Sequence, residues 1–168
     1  MRSAIADTCF LINWLRFRRR NDIFKLYRSV GVPILVLDEL GRSRRLLAEW
    51  LASGKVFLVP RIGIFEMEAL RAIEYAEVRG LPRVDPGEAF CLAVAKHRGY
   101  DVLTDNRAIK ALVSEVEEYR TVRVLDSLDL LVAIYGREIS SLRRAIAEYS
   151  SDTGLVFSPK RLREYGLA

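Results

Sequence analysis

Short runs of apolar and β-branched residues alternate along this chain with longer segments whose apolar positions recur at helical spacing. That alternation limits the fold more than any other feature, because each crossover between parallel strands needs a helix-sized connection. The strand-like runs cover residues 3–6, 33–37, 56–59, 101–104 and 121–125. Helical spacing covers 8–17, 23–30, 39–53, 64–78, 87–98 and 108–118, then 127–135 and 138–149. Gly31, Gly54, Gly80, Gly99 and Gly136 stand just past helical runs, where a left-handed residue ends a helix. The expected fold is α/β, three layers in α/β/α order around a central, mainly parallel sheet of about five strands. A single domain is expected over residues 1–150. Residues 151–168 read as a short C-terminal extension packed on it, with a turn, an extended stretch at 155–158 and a basic helix from Pro159.

Composition narrows the function classes. Apolar residues make up 51% and charged residues 29%, which argues against a disordered or low-complexity chain. Basic residues outnumber acidic ones by 27 to 22, a balance that favours anionic partners. Lys stands only at 25, 55, 96, 110 and 160, so the other 22 of the 27 cations are Arg, the side chain best matched to phosphate. Cys9 and Cys91 are far apart with no Cys-x-x-Cys pair, so no zinc site or disulfide framework is indicated, and both are expected to be small buried hydrophobes. No apolar run approaches the ~18 residues of a membrane span, and the first apolar stretch is followed, not preceded, by positive charge. A soluble cytoplasmic protein with no membrane partner is expected.

Acids follow four of the five strand-like runs: Asp7, the pair Asp38-Glu39, Asp105 and Asp126. In an open parallel sheet those ends share the edge where α/β proteins place ligands. Helix capping alone explains any single Asp at such a junction. Several together repel one another unless some protonate or a cation sits among them, and all-oxygen donors suit Mg²⁺ or Mn²⁺. The segment 89–95 has no polar residue on any face and so predicts a buried helix, with Glu88 in its first turn, Asp85 as N-cap and Pro86 near N1.

These residues resemble the PIN-domain nucleases, a family that includes the VapC-type toxins. Ile5-Ala6-Asp7-Thr8 resembles the first motif, Val36-Leu37-Asp38-Glu39-Leu40 the second, Gly87-Glu88-Ala89 the third in the form of an uncharacterised subgroup, and Leu103-Thr104-Asp105-Asn106 the fourth. Asn106 stands where a second acid is common. The tail Gly154-Leu155-Val156-Phe157-Ser158 is also similar to that subgroup. The resemblance implies Mg²⁺ or Mn²⁺ held by Asp7, Glu39, Glu88 and Asp105 as the metal-binding and catalytic set. It implies a metal-activated water that hydrolyses RNA internally, an antitoxin partner and a homodimer. Thr8 and Asn106 are then expected to orient water or substrate, Asp85 to be a supporting acid or a cap, and Asp126 a cap.

Two Arg clusters complete the reading. Arg16, Arg18, Arg19 and Arg20, with Lys25 and Arg28, crowd one segment, and Arg42, Arg44 and Arg45 follow Glu39. Both are expected near the carboxylate edge as contacts for RNA, or else as plain solvated surface. Other enzyme classes lack their residues. Cys9 stands where a haloacid-dehalogenase-like phosphatase needs a second Asp, Glu49 where a phosphate-binding loop before Gly54-Lys55 needs Gly, and His97 is the only His. The rival from another class is a non-catalytic module that binds nucleic acid or a protein through its Arg surface.

Overall fold

A computed structural model describes residues 2–168. At its centre is a five-stranded sheet of order β3-β2-β1-β4-β5, with every neighbouring pair parallel. The strands are β1 (Arg2–Ala6), β2 (Tyr27–Pro33), β3 (Val56–Val59), β4 (Asp101–Leu103) and β5 (Val124–Leu125). Strand side chains alternate between faces, and β1 divides the core accordingly: Ala4 and Ala6 face one helical layer, Ile5 the other.

The first layer holds α1 (Thr8–Arg16), α3 (Arg44–Ala52), α7 (Ser127–Tyr135) and α8 (Ile139–Thr153), whose Phe10, Trp14, Trp50 and Tyr149 pack on the sheet. The second holds α4 (Gly63–Val78), α5 (Pro86–Arg98) and α6 (Arg107–Glu115). The expected three-layer α/β/α architecture is the one that forms. Every residue of α5 from Glu88 to Ala95 is buried, as its all-apolar sequence requires, and Gly99 ends it with a left-handed φ of 68°.

β2 differs from expectation. It lies at Tyr27–Pro33, whereas 33–37 was expected as the strand and 23–30 as a helix. Residues Ile34–Leu37 instead form the helical turn α2, and a 3-10 turn occupies Arg20–Lys25. The sequence from Val30 to Leu37 is apolar at every position but Gly31 and Pro33, so no alternation marks where strand gives way to helix. Gly31 sits inside the sheet because Phe57 of β3 crosses it: a Cβ there would come within 3.0 Å of the Phe57 ring. Pro33 lacks an N–H and closes the ladder. Of the glycines expected as helix stops, Gly54, Gly80 and Gly99 have positive φ, whereas Gly31 is in β2 and Gly136 is right-handed at φ −67°.

The C-terminal extension packs back on the first layer. α8 runs through the expected turn to Thr153, Phe157 stacks on Tyr149 with ring centroids 5.8 Å apart, and α9 (Pro159–Arg163) follows. Cys91 is buried as expected, but Cys9 is exposed because the first turn of α1 opens onto a cleft. Among the described residues no helix is long and apolar enough to cross a membrane.

Candidate functional site

Asp7 ends the central strand and caps α1, and it is only 2% exposed. One carboxylate oxygen accepts the Phe10 N–H at 2.9 Å and the other accepts the Thr104 hydroxyl, from the loop after β4. These bonds favour the charged form, yet burial outweighs them. Together with the charges of Glu88 and Asp105, it pushes the Asp7 carboxyl up to about 7.

The other three acids reach the same region from different elements. Glu88, buried in the first turn of α5, turns back to accept the Asp85 N–H at 3.2 Å. Burial raises its carboxyl above the usual range, partly offset by hydrogen bonding from the Asp85 backbone and the Asn106 side chain. Glu39 follows α2, not a strand, and accepts the Thr8 hydroxyl at 2.6 Å. Asp105, after β4, accepts three hydrogen bonds: from Asn13 at 3.0 Å, the Ser127 N–H at 2.8 Å and the Ser127 hydroxyl at 3.0 Å. A cleft of about 290 Å³ is lined by Asp7, Thr8, Cys9, Glu39, Asp85 and Glu88, among others. The Cys9 thiol on its wall is pushed up to about 11, first by desolvation and then by the charges of Asp7, Glu88, Asp105 and Glu39. The four acids thus share one electrostatic neighbourhood.

Their chemistry fits a hard divalent cation: oxygen donors only, with a buried carboxyl, Asp7, that has no ion-pair partner among the described residues. Their spacing stops short of a ligand set. Among the described residues no group of three or more His, Cys, Asp or Glu is close enough to hold a metal ion. Glu39 is tied to Thr8, Asp105 to α1 and α7, and Glu88 to its own helix cap.

The remaining candidates divide. Asn106 caps α6 by accepting the Ala108 N–H at 3.0 Å, and Asp126 caps α7 in a reciprocal capping box with Asp129. Asp85 is the N-cap of α5. The first Arg cluster is not at the carboxylate edge, because it lies at the far end of α1, about 13 Å of helix from Thr8. There Arg18 pairs with Asp152 at 2.6 Å, Arg19 with Glu148 at 2.6 Å and Arg20 with Glu49 at 3.1 Å, so these three bind α1 to α8 and α3. Arg16 is exposed at the same end. Arg44 turns inward to the Leu37 carbonyl and Asp38, leaving Arg42 and Arg45 exposed along an open groove.

Thr104, Asn13, Ser127 and Tyr149 were missed by sequence reasoning. The Ser127 and Tyr149 hydroxyls, both on fully buried residues, pair at 2.6 Å behind Asp105. The available signal was a lone polar residue in an apolar run, as Asn13 is within Leu11–Leu15.

No protein-family model matches the chain, and no curated protein matches it. Solved structures match in fold. A chain of VapBC2 from Rickettsia felis, bound to a DNA fragment from its promoter, aligns at TM-score 0.53 and 9% identity over 74% of this chain and 98% of its own. A chain of FitAcB from Neisseria gonorrhoeae aligns at TM-score 0.48 and 16% identity over 73% of this chain and 96% of its own. The first of these supports the α/β fold. The resemblance to PIN-domain nucleases is corrected on these findings. No family model matches, and the VapBC2 chain, at 9% identity, carries a fold and not family membership. The physical reason is that each motif is a few residues around a strand-end acid, a pattern that helix capping also selects.

Proposed function

We propose that the chain is a divalent-metal-dependent endoribonuclease acting as the toxin of a toxin–antitoxin pair. The observation that carries the reading is Asp7: a carboxyl 2% exposed, with no ion-pair partner among the described residues, in a cleft shared with Glu39 and Glu88 and within the field of Asp105. Such a group is costly to the fold and is retained where a cation or chemistry uses it. Asp7, Glu39, Glu88 and Asp105 would hold Mg²⁺ or Mn²⁺, which when bound supplies a lowered water pKa and charge stabilisation at phosphorus. Thr8 orients Glu39, and Thr104 and Ser127 orient Asp7 and Asp105.

The antitoxin partner is supported by the likeness in fold to a chain of VapBC2, a toxin–antitoxin complex. A homodimer is supported by Ile64, Met67 and Leu70, which stand exposed in a row along α4. One observation favours the second reading, a non-catalytic interaction module: the acids make no ligand set in this conformation.

The test is cleavage of single-stranded RNA in Mg²⁺ or Mn²⁺ and in EDTA, with Asp7→Asn as the variant. The hydrolase reading expects cleavage that EDTA and Asp7→Asn each abolish. Asn keeps the size and, through its amide oxygen, the bond from the Phe10 N–H, with its amide N–H donating back to the Thr104 hydroxyl oxygen; it also removes a buried charge, so in EDTA at pH 8 the variant is expected to melt at or above the wild-type temperature. Cleavage that survives both treatments, or no cleavage and no heat of Mn²⁺ binding in calorimetry, would sink the reading.

A further inference from the structure

A second cleft, of about 280 Å³, is lined by Arg107, Lys110, Asp126, Lys160, Arg161 and Glu164. It is tied to the acids through Asp105: Asp126 lines this cleft and the next residue, Ser127, holds Asp105, while Arg107 stands two residues after Asp105. Its far wall is α9, which the C-terminal extension brings here and two groups lock. The Arg161 guanidinium bonds Asp126 at 2.7 Å and Asp129 at 2.9 Å, and the Tyr165 hydroxyl donates to Asp129. Lys110 is spent on the same two acids, at 2.7 and 2.5 Å. Arg161 also pairs with Glu164.

That leaves two cations. Arg107, on the first turn of α6 directly after Asp105 and Asn106, and Lys160, on α9, are exposed on the cleft. Neither has a carboxylate within 4.0 Å among the described residues, whereas Arg18, Arg19 and Arg20, which sequence reasoning assigned to nucleic acid, are all paired elsewhere. A site built on four acids repels a polyanion, so a strand can enter only where positive charge faces it. We infer that Arg107 and Lys160 form a backbone-phosphate site for a single RNA strand that runs past α9 into the acidic cleft. The inference deepens the hydrolase reading and rests on it for the identity of the polyanion.

The test is binding of a fluorescent single-stranded RNA oligonucleotide by anisotropy, in EDTA and over a range of NaCl. The double variant Arg107→Gln/Lys160→Gln is compared with Arg28→Gln/Lys55→Gln, which removes the same charge at the amino-terminal ends of β2 and β3. Each lost phosphate contact lowers the slope of log affinity against log salt by about 0.7 for a single strand. The first double is expected to lose about twice that and to bind several-fold more weakly, while the second keeps the wild-type slope. In Mg²⁺ the first double is expected to raise KM for RNA and leave kcat unchanged. Equal slopes in all three proteins, equal losses in both doubles, or no binding by the wild type overturn the proposal. Wild-type binding with the expected pattern but without cleavage upholds this site and removes the hydrolase. Cleavage with identical binding in both doubles removes this site and keeps the hydrolase.

Discussion

Asp105 accepts three hydrogen bonds inside the chain, and one of the two from Ser127 comes from a hydroxyl that is itself held by Tyr149 at 2.6 Å. Ser127→Ala removes one donor to the carboxylate and orphans the buried Tyr149 hydroxyl, an imbalance that costs about 1–3 kcal/mol. Tyr149→Phe in that background leaves nothing further to orphan. Urea denaturation of the two single variants and the double is therefore expected to show a double-variant loss smaller than the sum, by about 0.5 kcal/mol or more. Additive losses would mean that the hydroxyls do not act as a pair. The acids themselves were legible from sequence because charge at a strand end is conspicuous. Their supports were not: Asn13 and Tyr149 come from helices 92 and 44 residues away from Asp105 in the chain, and no local pattern records such a meeting. Cys9 was misread for the converse reason, since the apolar run Phe10-Leu11-Ile12 that follows it concealed that the turn faces a cleft.

α9 is a five-residue helix with no buried residue of its own, so side-chain bonds, not core packing, hold it in place. Burial works to raise the Asp129 carboxyl, but hydrogen bonds from Lys110, Tyr165 and the Asp126 backbone outweigh it and hold it below the usual carboxylate range. A depressed carboxyl stabilises the fold fully above its unfolded value, near 4, and that stability is lost as pH falls through the folded value. Arg161→Met is expected to cost about 1 kcal/mol at pH 7, with Lys110 still on both acids, and progressively less below pH 4. Urea denaturation at pH 7 and pH 3 measures it, and trypsin at pH 7 should cut at Lys160 and Arg163 sooner in the variant. The helices were largely legible at this scale: α1, α4, α5 and α7 begin and end within a residue of their sequence patterns. β2 was not, because an unbroken apolar run suits a buried strand and a buried helix equally. The close approach of Phe57 that makes Gly31 a strand residue lies 26 positions downstream.

The whole molecule joins distant halves of the chain at its centre. β1 pairs on one side with β2, which ends at Pro33, and on the other with β4, which begins at Asp101. The second helical layer is filled mainly by α5 and α6, with α4 at its outer side. A fragment of residues 1–85 would keep β1 to β3 yet expose the face of Ile5 and Val59 that α5 covers. It is expected to show no cooperative urea transition by circular dichroism, whereas the full chain shows one. Net charge reads differently at this scale as well: a surplus of five positive charges conceals an acidic cleft and a set of cations consumed in tying helices together.

Strand order also sets a timetable. A chain leaving the ribosome presents Asp7 and Glu39 first, Glu88 and Asp105 only after them, and Ser127, which steadies Asp105, later again. The central strand waits for its second neighbour until Asp101–Leu103 has been made, and the acids cannot gather before it arrives. A site assembled in this order is incomplete until the chain as far as Ser127 has left the ribosome.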